Sequence, residues 1–564
     1  MNNAPEICAF PPSHKERARM GREQGYLQAE TTEMRTAALQ SNFTRRGRES
    51  YTDRAMITRR HFLHSTALVS AATALAAHSR FAWAEEGGVY RNPILGGDHP
   101  DASPIRLGSD FYLTHSSFDY APGLLIYHSR DLINWKPVAA ALRRYHGNVY
   151  APYLCAYQGR FYIYFPADNL LRVVHADHPE GPWSEPINLG INAIDPAHIA
   201  ESGRRFLYAN GGIMAELTAD GLGVKSAPRQ VFEPWPIPAA TRVECTCLEA
   251  PKVIEHNGWF YLNVAEGGTA GPATGHAVVS ARSRHADGPW EYSPYNPIVH
   301  TPSRDDRWLS LGHGRLVDTP DGKWYMTVHS YENGYRTLGR QMLLLPVEWT
   351  ADGWFRVPPG ITAESAIPLP VAGSRQEPFA DPSDDFTSPE LGLQWGFWHE
   401  YDPQRFTTGK GALVLAARGK SLADTPALTT AVGAHSYTVE VDVEVEPGCE
   451  SGLLLFYDPQ HATGIVLDEQ GIGVRLANGY FPSHQQKGAS RATLRIVNDR
   501  QEIDFYYRLP GQSWQKMREA AEVSGMHHNV LGGFLDLRPA VYACGTGKAT
   551  FRNFRYWPEV SVPG

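Results

Sequence analysis

The sequence predicts an all-β protein, a five-bladed β-propeller followed by a C-terminal β-sandwich. Three observations carry that prediction. A strand, glycine turn, strand phrase recurs five times between residues 101 and 326. A second phrase ending in tryptophan recurs beside it. Beyond a Pro- and Ala-rich stretch, short segments of alternating polarity follow one another at intervals that suit a sandwich.

The five phrases are "DASPIRLGSDFYL", "YAPYLCAYQGRFYIY", "DPAHIAESGRRFLY", "EAPKVIEHNGWFYL" and "HGRLVDTPDGKWYM", starting at Asp101, Tyr150, Asp195, Glu249 and His313. Four places after each start stands an aliphatic residue: Ile105, Leu154, Ile199, Val253 and Val317. Each phrase then turns at a glycine (Gly108, Gly159, Gly203, Gly258, Gly322) and resumes with an aromatic (Phe111, Phe161, Phe206, Phe260, Trp324). The pattern is a β-hairpin. The glycines stand 44 to 64 residues apart, the spacing of propeller blades. "SRDLINW", "HADHPEGPW" and "RSRHADGPW" close on Trp135, Trp183 and Trp290 and mark outer strands.

The inner strand of each propeller blade lines a central channel, so equivalent positions converge. Here that ring is Asp101, Tyr150, Asp195, Glu249 and His313. Three carboxylates around one funnel repel, and at least one is held protonated above its ordinary range. General acid chemistry at neutral pH needs such a group.

With 564 residues the chain exceeds one ordinary domain, and its 42% hydrophobic content is ample for buried cores. A net charge of −8 argues against a nucleic-acid partner. Aromatics make up 11%, which suits both sugar-binding surfaces and β-rich cores. No CxxC or HExxH spacing points to zinc.

At the N-terminus, "TRRHFL" (58–63) precedes the apolar "STALVSAATALAA" and an A-x-A site at 82–84. This reads as a signal peptide of twin-arginine type, with Arg59 and Arg60 adjacent, and leads to the periplasm or the exterior. The apolar stretch is too short to span a membrane. Met56 is the expected start, which leaves 1–55 as a disordered extension and 56–84 as the signal. Export in the folded state makes structural disulfides unexpected, so Cys155, Cys245, Cys247, Cys449 and Cys544 read as buried free thiols.

The motifs "NPILGGDHPDAS", "SSFDYAPGLLIYHSRDLINW", "VYAP", "IDPAHI", "CLEAPKV", "GHG" (312–314) and "LGRQ" (338–341) together resemble glycoside hydrolase family 43 over about residues 92–354. "DDFTSPELGLQWGFW" (384–398) resembles the start of the concanavalin A-like sandwich that follows the propeller in that family's xylosidases. With the Pro- and Ala-rich stretch read as a linker, the expected organisation is a propeller over 90–360, a linker over 361–383 and a sandwich over 384–564. The resemblance also implies roles for particular residues. It implies that Asp101 is the general base, Glu249 the general acid and Asp195 the group that tunes and orients that acid. Phe118, Tyr150, His313 and Arg340 would form the sugar site. No cofactor is required, although some members carry an ion such as calcium, which His313 would support. Three positions depart from the family pattern. Ala102 replaces the usual Pro after the base, Tyr150 a usual Trp, and Tyr153 a frequently acidic residue.

The expected activity is exo-acting, inverting release of terminal pentose from plant polysaccharide fragments, as a β-D-xylosidase or an α-L-arabinofuranosidase. A galactan-acting relative and a sugar-binding propeller without chemistry are the alternatives. A retaining fructosidase is echoed faintly by "VEC" and "DP", but its "NDPNG" signature is missing.

Overall fold

The computed structural model describes residues 88–477 and 484–561. The expected extension and signal segment lie outside them. Among the described residues no helix is long and apolar enough to cross a membrane.

Five antiparallel blades form the first part. Blade I comprises Ser103–Leu107, Asp110–Thr114, Gly123–Ser129 and Lys136–Leu142, and blade II Tyr153–Tyr157, Arg160–Ala167, Leu170–Ala176 and Ile187–Asn192. Blade III comprises Ala197–Glu201, Arg204–Ala209, Ile213–Leu217 and Arg229–Gln230. Blade IV has Leu248–His256, Trp259–Glu266, Ala277–Ser283 and Glu291–Tyr292, with Val299–His300 added to its third strand. Blade V has Trp308–Asp318, Trp324–Glu332, Arg340–Trp349 and Phe355–Arg356. Each inner hairpin is the recurring phrase of the sequence, and its glycine takes the left-handed turn conformation. The inner strands touch their neighbours in a closed ring, I to II to III to IV to V and back to I. The first described strand, Val89–Tyr90, pairs with Ile367–Pro368, and Leu95 then pairs with Met342 of the last blade. Ile367 and Pro368, inside the expected linker, thus belong to the propeller.

The C-terminal part is a sandwich of two seven-stranded sheets. One runs Gly471–Arg475, His461–Asp468, Cys449–Asp458, Arg538–Gly545, Leu428–Thr430, Trp395–Trp398 and finally Tyr120–Ala121, which comes from the propeller. The other is built on Ser436–Val445, Arg491–Asp499, Glu502–Arg508 and Lys548–Trp557. Alternation places Val439, Val441, Val443, Leu494, Ile496 and Phe505 inward. This core runs on without a break into Phe118, Tyr120, Tyr150 and Ala151 of the propeller.

The cysteines differ from expectation. Cys155, Cys449 and Cys544 are free and buried, but Cys245 and Cys247 form a disulfide. They stand on the irregular segment just before the strand Leu248–His256, with Cα atoms 5.2 Å apart, inside the range a bridge needs. So short a loop constrains the unfolded chain little.

Candidate active site

The ring positions sit where the backbone kinks at the mouth of the channel. Asp101, Asp195 and His313 have φ values of 60°, 55° and 57°. In blades II and IV the left-handed residue comes one place later, at Ala151 (φ 41°) and Ala250 (φ 53°). Non-glycine residues in this region are strained, and such strain collects at functional sites. Register shifts flank the kinks, between Glu249 and Lys252 and on both sides of Gly312. Bulges of this kind re-aim side chains off the strand. A Cβ on Gly312 would collide with the His276 ring, so the "GHG" motif is set by close approach.

Asp101 is buried and held from four directions. Its Oδ2 accepts a hydrogen bond from Ser116 Oγ. Its Oδ1 lies 3.0 Å from His313 Nδ1, 3.0 Å from His329 Nδ1 and 3.3 Å from Arg340 Nη1. Burial by itself would push this carboxyl up. The Arg340 guanidinium, with His313 and His329, outweighs burial and holds it well below the usual carboxylate range. Asp101 is therefore ionised across ordinary pH.

Glu249 is in the opposite state. It keeps partial solvent access, and its carboxyl makes no hydrogen bond to the described residues. Burial, followed by the charges of Asp195 and Asp101, pushes it up to about 8. Asp195 accepts the Ala250 N–H at 2.9 Å. Burial raises it to about 6, against the attraction of Lys252 and with the repulsion of Asp101. The three carboxylates therefore share one electrostatic environment, and two of them titrate far apart.

The remaining expected residues gather here as well. Arg340 opens the third strand of blade V, and its guanidinium lies 5.7 Å from the Phe118 ring centroid. Phe118 and Tyr150 are buried in the cluster that joins the sandwich, with the Tyr150 hydroxyl bonded to Asn169. The buried His313 ring is lowered to about 4 by burial, against the pull of Asp101.

One donor atom each from Asp101, His313 and His329 lie within 4.8 Å of one another, a spacing at which three donors can share an ion. Calcium takes six to eight oxygen ligands. This trio offers one oxygen and two imidazole nitrogens, with a guanidinium already on that oxygen. The donor set does not suit calcium.

A family model described as "Glycosyl hydrolases family 43" matches residues 90–355, and "Beta xylosidase C-terminal Concanavalin A-like domain" matches 383–557. The chain belongs to glycosyl hydrolase family 43. It is thus a glycoside hydrolase of an inverting family. Among curated relatives it is similar to a xylan 1,3-beta-xylosidase of Vibrio sp, at 29% identity over 76% of this chain and 90% of the relative. It is also similar to the non-reducing end alpha-L-arabinofuranosidase BoGH43B of Bacteroides ovatus, at 28% identity over 82% and 92%. Among solved structures, the family 43 protein BlXynB from Bacillus licheniformis superposes with a TM-score of 0.73 at 27% identity, covering 83% of this chain and 99% of that one.

Several site residues of this family 43 chain escape a reading of its motifs. Ser116 bridges Asp101 and the Ala151 N–H, the latter at 2.7 Å. His329 comes from the second strand of blade V. Lys252 is buried, its Nζ has no hydrogen-bond partner among the described residues, and it is lowered to about 8 by burial against the pull of Asp195. Phe534 of the sandwich lies 4.9 Å from the Arg340 guanidinium. Ser116 and Lys252 stood within quoted motifs, but nothing in the sequence tied them to the carboxylates. His329 and Phe534 carried no signal, since each meets the site only through strand pairing or domain contact.

Proposed function

We propose that this chain is an exo-acting glycosidase that removes terminal pentose, β-D-xylose or α-L-arabinofuranose, from plant polysaccharide fragments. In this reading Asp101 is the general base. It takes a proton from water as that water's oxygen bonds to the anomeric carbon. Glu249 is the general acid and gives its proton to the leaving glycosidic oxygen as the old bond breaks. Asp195 keeps Glu249 protonated through its charge. Arg340, Phe118, Tyr150 and His313 border the sugar.

One observation supports these roles above the others. Asp101 is held ionised by Arg340 and two histidines, whereas Glu249 is raised to about 8. An inverting hydrolase needs one carboxylate in each state at the same pH. The pentose assignment leans on the named activities of the xylosidase and arabinofuranosidase relatives. A propeller that only binds sugar would have no use for such a divided pair. The twin-arginine motif at 58–63 supports a periplasmic or secreted location.

The test is hydrolysis of aryl β-D-xylosides and aryl α-L-arabinofuranosides, with the product anomer read by NMR. Turnover of at least one substrate with inversion is expected, and Glu249→Gln should lose more than about 100-fold in kcat on poorly activated leaving groups. A retained anomer, or full activity in Glu249→Gln, would overturn the assignment.

A further inference from the structure

A charge cluster lies buried in the seam between propeller and sandwich, and the chemistry above does not use it. Asp98 and Asp536 are 2% and 1% exposed. Asp98 belongs to the propeller. Its Oδ1 accepts the main-chain N–H of Arg340 at 2.9 Å. The residue before Arg340 is Gly339, at φ 70° and ψ −156°, a conformation essentially reserved for glycine, and a Cβ there would strike the Asp98 carboxylate. Asp98 therefore fixes the point at which the Arg340 strand begins.

Asp536 and Arg538 belong to the sandwich. Arg538 Nε donates to Asp536 Oδ1 at 2.6 Å, and its guanidinium packs 3.8 Å from the Tyr120 ring centroid. Between them, the Leu537 N–H donates to the Thr337 carbonyl at 2.8 Å, three residues ahead of Arg340. Burial raises the Asp98 carboxyl well above the usual carboxylate range; the nearby Asp536 adds to this, and Arg340 and the sandwich's Arg538 oppose it. Residues 534–538 thus grip the segment 337–340 through a ring and a main-chain bond, with the Asp536–Arg538 ion pair flanking that bond. At the far end of that grip, Arg340 Nη1 meets Asp101 Oδ1.

We propose that Asp536 and Arg538 are positioning residues for the hydrolase, supplied by the sandwich, which set Asp98 and through it the Arg340 that holds Asp101. This rests on the glycosidase reading above. Neither residue touches the reacting atoms. Their effect is geometric, because an arginine displaced by a fraction of an ångström no longer holds the base against the attacking water.

The experiment is a double-mutant cycle on the full chain, using whichever aryl pentoside the wild type cleaves, with circular dichroism to quantify folded protein. Arg538→Met should lower kcat/KM by about 10- to 100-fold, mainly in kcat. Arg538→Lys should recover most of the loss, since the cation beside Asp98 and Asp536 is kept. Asp98→Asn should lower kcat/KM as well. The Arg538→Met, Asp98→Asn double variant should fall no more than about threefold below the weaker single, because the two act through one path. Asp536→Asn, which preserves side-chain volume, provides the same cycle should Arg538→Met not fold. A wild-type kcat/KM in Arg538→Met, or losses that multiply in the double variant, overturns this inference alone. A wild type inactive on every pentoside overturns it together with the glycosidase reading.

Discussion

Glu249 stands for the site at the scale of a residue, since what suits it to the proposed acid role costs stability. Its carboxyl rises from 4.5 to about 8 in the folded chain, so the folded state holds that proton more tightly than the unfolded state. The stability it contributes is fully present below about 4.5 and is lost as the pH climbs toward 8. Glu249→Gln, which cannot ionise, should therefore raise the melting temperature at pH 8 by about 2 °C or more while leaving it unchanged at pH 4, as read by scanning calorimetry. The wild-type rate should follow the same proton: kcat should hold at neutral pH and decline as pH rises through about 8, where the acid deprotonates. A decline centred near pH 5 would contradict the raised acid. The neighbouring trio of Asp101, His313 and His329 yields a separate expectation. With a nitrogen-rich donor set and a guanidinium on the shared oxygen, dialysis against EDTA should leave kcat within about twofold of the untreated enzyme. A larger loss restored by calcium would show that an ion is held there. At this scale the sequence was most legible, because Asp101, Asp195 and Glu249 lie inside phrases that repeat. Asp98, Ser116 and Lys252 stood inside the family motifs with nothing to mark their roles, since each acts through a contact to another blade or another domain.

At the scale of an element, each blade makes the same kink at the channel mouth by its own means. The repeat placed five residues in equivalent slots, and the four-residue offset to the aliphatic position held for all of them. It did not reveal that blades II and IV move the left-handed residue one place on, to Ala151 and Ala250, each followed by proline. Proline restricts the residue before it but does not by itself select a positive φ. That conformation is imposed by the hydrogen bond from the Ala250 N–H to Asp195 and, in blade II, by the Ser116 hydroxyl. Both partners are distant in sequence, so the kink was not legible. Ala250 is consequently a sharp test. Ala250→Gly, free of any Cβ penalty, should keep the melting temperature and retain kcat within about threefold. Ala250→Val puts a β-branched side chain at φ 53° and should destabilise by about 1–3 kcal/mol, with kcat falling at least tenfold as Glu249 and Asp195 lose their alignment. Denaturant melts and steady-state kinetics on the two variants check this, and indifference to valine would mean that the kink is not under strain.

Across the whole molecule, the propeller and the sandwich share a sheet, a core and the support of one arginine. Periodicity announced both folds, the hairpin phrase for one and alternation after residue 384 for the other. Their union was invisible in it, because Tyr120–Ala121 reads as part of a propeller motif and only tertiary structure pairs it with Trp395–Trp398. The same union decides what truncation should do. A chain ending at Ser383 would lose the strands that cover Phe118, Tyr120 and Tyr150, exposing an aromatic patch that is now buried. It would also lose Phe534 from beside Arg340, Leu537 from Thr337, and the bond from Gln501 Nε2 to the Gly334 carbonyl, so the segment 334–340 would keep only its propeller contacts. The expected product is a propeller that associates through the uncovered patch and retains less than about 1% of full-length kcat/KM, measured by size-exclusion chromatography and aryl pentoside hydrolysis. If the truncated chain ran as a monomer with full activity, the sandwich would be a neighbour only. The shared sheet argues otherwise, since an edge strand two residues long has little stability without the partner that extends it.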